Sequence, residues 1–263
     1  MPMTAGEIVD RVLAEIGCGT IEGTIDTFKA GSPEADVAGV ATTFLATYDV
    51  LARAAERGLN FVITHEPTFY HHREETDAIE GDAVLAAKRE LIERTGVVIW
   101  RCHDYWHRRR PDGIDAGLFE AMGWAGRQAD DDPKVLALPE APVGELAAAL
   151  KAKLSARAVR VVGDAEMATG KVGLCLGAVS AARQIRKLQR PDVEVLVVGE
   201  AREWETVEYV RDAAAQGRRK AMIVLGHCAS EEAGMAYFAR WLAGLIPSLP
   251  VEFVPAGDPF LAV

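Results

Sequence analysis

Residues 37–67 read VAGVATTFLATYDVLARAAERGLNFVITHEP, and this stretch decides the fold class. VAGVATTF is an apolar, β-branched run, residues 48–57 carry apolar side chains at helical spacing ahead of Gly58, and LNFVIT is a second apolar run ending at His65. The reading is strand, helix, strand. The cycle then repeats. AVLAAKRELIERT reads as a helix closed by Gly96, VVIWRC as a buried strand with His103 directly after it, and IDAGLFEAM as a helix stopped by Gly123. Upstream, Thr4 and Glu7 form a capping box ahead of Ile8, Val9, Val12, Leu13 and Ile16, which predicts an amphipathic first helix.

Residues 128–133 are acidic, polar and end in Pro133, marking a crossing between lobes. Beyond them the alternation resumes with VLAL, the helix GELAAALKAKL, the strands AVRVVG and KVGLCLG, the basic helix AARQIRKLQR and the strand EVLVVG. A helix over 203–216, the strand KAMIVLG, a long helix from Ser230 to about Ile246 and a short strand VEFV complete the chain. Strands alternating with helices imply α/β architecture with largely parallel or mixed sheets. No low-complexity tract or short-period repeat interrupts it.

Composition narrows the function. With 263 residues, 49% apolar and 26% charged, the chain can bury a sizeable core, and disorder is excluded. The 39 acidic against 29 basic residues give a net charge of −10, which argues against binding nucleic-acid backbone through bulk charge. Cys18, Cys102, Cys175 and Cys228 lie far apart without a CxxC pair, so neither a disulfide scaffold nor a zinc finger is expected, and a reducing cytoplasm fits. The N-terminal segment is charged and lacks an apolar core, and no apolar run reaches the ~18 residues of a membrane helix. Neither secretion nor membrane insertion is expected.

Of six histidines, His65, His103 and His227 each follow a predicted buried strand. In open α/β sheets ligands bind beyond the carboxyl ends of the strands, so three imidazoles at such ends can converge on one point. Each has polar company: Glu66 after His65, Asp104 and His107 after His103, and Glu231 four residues after His227. Imidazoles with carboxylates and no thiolate suit Zn²⁺, Mn²⁺, Fe²⁺ or Ni²⁺. Glu231 has a plainer reading as a favourable charge in a first helical turn. His71 and His72 sit in a charged loop and read as exposed, Cys102 as buried packing. The arginine run 108–110 reads as a solvated face, with a phosphate clamp as its functional alternative.

Taken together, ITHEP, RCHDYWH, the strand running into Gly199 and Glu200, GHCASE and the terminal DPF resemble the NGG-interacting-factor-like family of dinuclear-metal proteins, the GTP cyclohydrolase I type 2 homologues. The motifs stand in the family's order and span essentially the whole chain. Two positions depart from the family pattern: Glu66 stands where the family has a second histidine, and His107 where its middle motif ends in aspartate. The swaps are reciprocal. The resemblance therefore implies a retained set of three histidines and two carboxylates, His65, Glu66, His107, His227 and Glu231, holding two divalent ions with Glu66 or Glu231 as the bridge. A single-metal variant is the alternative. His103 takes proton-transfer or orienting work, with Asp104 as the other orienter.

The resemblance further implies two α/β lobes with mixed sheets, the first and last segments (1–127 and 221–263) forming the metal-binding lobe and the middle segment (128–220) the other, assembled as a homohexamer. It implies a metal-dependent hydrolase acting on a small-molecule substrate, a nucleotide or another small phosphorylated compound. The alternative from a different class is a non-catalytic metal-binding scaffold or regulatory partner.

Overall fold

The computed structural model describes residues 3–261. In chain order its elements are β1 (Met3–Thr4), α1 (Ala5–Ile16), β2 (Phe28–Ala30), β3 (Asp36–Val37), β4 (Val40–Thr43), α2 (Tyr48–Glu56), β5 (Phe61–Thr64), α3 (Ala83–Thr95), β6 (Val98–Arg101), α4 (Asp104–Arg108) and α5 (Gly113–Met122). They continue with β7 (Val135–Pro142), α6 (Val143–Lys153), β8 (Arg160–Val162), β9 (Ala168–Cys175), α7 (Ala181–Leu188), β10 (Val195–Val198), α8 (Glu208–Ala215), β11 (Ala221–Val224), α9 (His227–Leu245) and β12 (Val251–Phe253). Among the described residues, no helix is long and apolar enough to cross a membrane.

The chain divides into two compact units, Met1–Gly117 with Gly234–Ala256, and Leu118–Ala233 with Gly257–Val263. The first is built on a sheet of order β12-β4-β5-β6-β2, in which β12, β4, β5 and β6 run parallel and β2 is an antiparallel edge. Every residue of β4, β5 and β6 is buried, as expected of parallel strands covered on both faces. On one face Ala41, Val62 and Ile99 pack beneath Val50, Leu51 and Ala54 of α2 and Leu91 and Ile92 of α3. On the other, Thr42 Oγ1 donates to Met235 O of α9 at 2.9 Å. The local signals hold: Thr4 and Glu7 close the capping box of α1, and Gly96 ends α3 in the left-handed region at φ +64°.

The second unit carries a sheet of order β7-β9-β10-β11-β8, with β9, β10 and β11 parallel and both edges antiparallel. Its core collects Leu188 of α7, Leu196 and Val198 of β10, Val210 of α8 and Met222 of β11. Both units are α/β with mixed sheets.

The boundaries differ from the sequence expectation of 1–127 with 221–263 and 128–220. β11 pairs along its whole length with β10, from Val195 opposite Ala221 to Val198 opposite Val224, so this strand belongs to the middle sheet. At the other boundary Lys153 Nζ donates to Met122 O, tying residues beyond Gly117 to the middle unit. Two local readings also shift. The helix expected over 203–216 splits into a π-helical turn, Glu203–Val207, and α8. The long helix starts at His227, before Ser230. Short β2 and α4 carry too little periodicity to be read from sequence.

Ile63 lies fully buried on the central strand β5, whereas Val84 on α3 is 63% exposed. Ile63→Ala is expected to cost about 2–5 kcal/mol, read as a lowered urea midpoint, whereas Val84→Ala stays within about 0.5 kcal/mol.

Candidate metal centre

Register builds the first donor group. β5 and β6 are parallel neighbours with Thr64 opposite Arg101, and Cys102 N donates to Thr64 O at 2.9 Å. His65 and His103 therefore leave adjacent strand ends side by side, their ring centroids 4.6 Å apart. His107 lies one turn along α4 from His103, its N–H on His103 O at 3.0 Å, and its ring stands 5.0 Å from His65 and 4.9 Å from His103. One ligand nitrogen from each ring lies within 4.8 Å of the other two, a spacing suited to one metal ion.

Each ring is held from behind. His65 Nδ1 contacts Cys102 O at 3.2 Å, His103 Nδ1 contacts Asp104 Oδ1 at 3.0 Å, and His107 Nδ1 contacts Asp112 Oδ2 at 3.0 Å. A carbonyl or carboxylate on Nδ1 requires the proton there, which makes Nε2 the coordinating atom of each ring. Burial, reinforced by the His65 and His107 imidazoles, pushes the His103 pKa down to about 4, so the ring is neutral at pH 7, the form that binds metal. The donor set fits a divalent ion with nitrogen preference.

Buried carboxylates position the loop. Asp26 accepts from His103 N at 2.8 Å and Tyr105 N at 2.9 Å, capping the start of α4, and burial raises its pKa against those hydrogen bonds. Burial also works against the Asp104 charge, yet hydrogen bonds from His103 and Thr24 hold its carboxyl below the usual range. Trp106 anchors α4 by packing 4.4 Å from Phe238 and 5.2 Å from Trp241 on α9. Gly113 makes room for it, since a Cβ there would come within 2.0 Å of the indole.

Glu66 sits beside the imidazoles, its carboxylate among the groups that could hold a metal ion, and Arg101 holds it from behind. Arg101, fully buried at the end of β6, donates to Glu66 Oε2 at 3.0 Å, to His65 O at 3.0 Å and to His72 O at 2.6 Å. Glu66 Oε1 lies 3.7 Å from His103 Nε2. Burial lowers the Arg101 pKa, and the Glu66 carboxylate opposes that shift. Of the arginine run, Arg109 stacks over Trp106, Tyr237 and Trp241 instead of facing an anion.

The second donor group belongs to the other unit, at the carboxyl ends of its parallel strands. His227 Nε2 contacts Glu231 Oε2 at 3.1 Å, one helical turn along α9, and His227 Nδ1 contacts Glu200 Oε1 at 2.7 Å, just beyond β10. A neutral imidazole has one N–H, so a cation between Nε2 and the buried Glu231 would satisfy both atoms. Gly177 permits this packing: a Cβ there would lie 2.2 Å from Glu231 Oε1. Ser230 Oγ ties the two loops together, accepting from Gly177 N at 3.0 Å and donating to His227 O at 2.7 Å.

The sequence profile of Duf34/NIF3 (NGG1p interacting factor 3) matches residues 27–259. The chain belongs to the DUF34/NIF3 family. Solved structures agree on the fold. A Bacillus cereus protein related to NIF3 superposes with a TM-score of 0.79 at 15% identity, covering 100% of this chain and 99% of that one. The Staphylococcus aureus hypothetical protein SA1388 gives 0.78 at 17% identity over 100% of both chains. Protein ybgI, described as of unknown function, gives 0.78 at 20% identity over 98% of this chain and 100% of its own. Comparison with curated proteins finds no match.

Within this NIF3-family chain the structure gathers His65, Glu66, His103, Asp104 and His107 on one unit, and His227 with Glu231 on the other. His103, expected to do proton-transfer or orienting work, stands in the group of three imidazoles that could hold a metal ion. Asp104 Oδ1 lies against His103 Nδ1 at 3.0 Å. His71 and His72 are exposed, and Cys102 is buried. Sequence reasoning missed Asp26, Arg101, Asp112 and Glu200 as supporting groups. Arg101 was detectable as the one charge inside the apolar run VVIWRC.

Removing one partner of a buried ion pair strands the other charge. Arg101→Met is therefore expected to destabilise the protein by about 3–5 kcal/mol, and adding Glu66→Gln should recover a large part of that loss in chemical denaturation.

Proposed function

We propose that this protein binds divalent metal through the His65, His103 and His107 imidazoles, and uses it as a hydrolase of a nucleotide or another small phosphorylated compound. The observation that carries this reading is the three rings whose Nδ1 atoms are all held by acceptors while one nitrogen from each converges. His227 and Glu231 form a further donor group, and two ions per chain is the stoichiometry the two groups suggest. Zn, Mn, Fe and Ni all suit these donors.

An ion held there supplies Lewis-acid polarisation of a carbonyl or phosphoryl oxygen and eases the ionisation of water. The protein's own part is positional. Asp104 and Asp112 fix the ring orientations, Arg101 holds Glu66 by Oε2, and Glu66 Oε1 faces the imidazoles, where it can accept a proton. Four thiols without a disulfide suit a cytoplasmic protein. The non-catalytic scaffold is the second reading, favoured by one feature: the buried Arg101 neutralises a carboxylate that a catalytic ion would otherwise use.

Elemental analysis of purified protein is expected to show bound transition metal. His65→Ala, His103→Ala and His107→Ala should lose it, His71→Ala should keep it, and Asp112→Ala should weaken affinity about 10–100-fold. The ion count in His227→Ala tells whether that group holds an ion of its own. Metal-dependent release of product from phosphorylated compounds supports the hydrolase, whereas stoichiometric metal without turnover supports the scaffold. No bound metal in protein prepared with all four ions would sink both readings.

The homohexamer implied by the family resemblance is part of this proposal. Light scattering is expected to give a mass six times that of the 28.4 kDa chain. A monomeric mass at micromolar concentration would count against it.

A further inference from the structure

The middle unit has a second concave feature, lined by none of the donor residues just described. A cavity of about 510 Å³ opens at the carboxyl end of β9, the position at which α/β sheets present ligand sites. Leu174, Cys175 and Leu176 line its floor. One wall is α7 and its continuation, which present Arg183, Arg186, Lys187 and Arg190, spaced i, i+3, i+4 and i+7. That spacing puts all four on one helical face. Gln184 and Leu188 of the same helix are buried, which sets its rotation, and the four basic residues line the cavity.

Lys134 enters from the strand side because β7 runs antiparallel to β9. Its carbonyl accepts from Leu174 N at 2.8 Å, which places the residue at the same sheet end. The lining thus carries five cationic side chains and one carboxylate, Asp132, in a chain whose net charge is −10. Lys187 is paired with Asp132, and Arg190 is held by Asp131 at 2.9 Å and Asp192 at 2.8 Å. Among the described residues, the guanidinium groups of Arg183 and Arg186 make no hydrogen bond or ion pair. Two guanidinium groups without a side-chain partner, beside Lys187 and Arg190, repel one another, and a multiply charged anion removes that repulsion. The positive potential also reaches Cys175: burial raises its thiol to about 11, and Lys187, Lys134 and Arg183 oppose that rise.

We propose that this cavity binds a small polyphosphorylated ligand, its phosphates held by Arg183 and Arg186 with Lys134 and Lys187 flanking. The apolar floor offers contact to the uncharged body of such a ligand. The site does not depend on the metal reading, because none of the residues that line it is a metal-donor candidate.

The test is calorimetric titration of the full chain, stripped of metal with a chelator, with inorganic tripolyphosphate and with ATP at roughly 0.15 M salt. Both probes are expected to bind, and Arg183→Gln, Arg186→Gln and Lys134→Gln should each weaken them by about tenfold. Arg211→Gln, which removes an exposed arginine of α8 paired with Glu208, should leave binding unchanged. Arg183 and Arg186 are exposed, so their variants retain the fold, checked by circular dichroism and melting temperature. Failure of both probes to bind, or equal binding by all variants, overturns the proposal. So does tighter binding of a single-stranded oligonucleotide than of ATP, which would assign the stripe to nucleic acid. Because chelated protein is used, these outcomes do not depend on whether the imidazoles hold metal.

Discussion

The parallel pairing of β5 with β6 is the constraint on which the candidate centre depends. With Thr64 opposite Arg101, the next residues along each strand have to emerge together, and the Cys102 N–H on Thr64 O carries the register one step past the sheet. His65 and His103 become neighbours for that reason alone. A shift of one residue would send one of the two imidazoles to the opposite face. The remaining members follow locally: α4 adds His107 one turn on, and Glu66 is the next residue after His65.

Holding these groups in place has an electrostatic cost that the surroundings offset. Burial, and after it the neighbouring His65 and His107 imidazoles, disfavours protonation of His103, and each of the three rings is backed by an acceptor. Asp104, Asp112 and a backbone carbonyl supply those acceptors, while Asp26 fixes the backbone that carries two of the rings. Arg101 balances Glu66 and at the same time ties His65 O and His72 O to the strand end. A buried pair of this kind contributes little net stability, but each partner is costly to lose. The same arrangement gives the site rigidity through its supporting groups.

The middle unit solves the same placement problem with glycine. Its three parallel strands end close to Gly177, Gly199 and Gly226, and the missing side chains at Gly177 and Gly199 let Glu231, His227 and Ser230 pack against the loops. Any Cβ at Gly177 would occupy the space of the Glu231 carboxylate, so the glycine is required by close approach as well as by its φ of +66°. Both sheets thus direct chemistry to their carboxyl edges, and in the middle unit the same edge also exposes the basic face of α7.

Much of this was legible in the sequence. Alternation of apolar strands with amphipathic helices determines α/β architecture, the capping box and Gly96 mark helix ends to within a residue, and histidines beside strand ends single out the donor candidates. These are local properties, written in periodicity and in neighbouring residues. Other features depend on contacts between distant segments. Asp26 meets His103 across 77 positions, and Arg101 meets Glu66 across 35, and neither pairing leaves a periodic trace. The membership of β11 in the middle sheet follows from its ladder with β10, which composition could not indicate. The sequence by itself determined which residues can coordinate or ionise. Only the tertiary structure decided which nitrogen each imidazole presents and which carboxylate stands behind it, because tautomer and pairing are set by neighbours that the fold brings together.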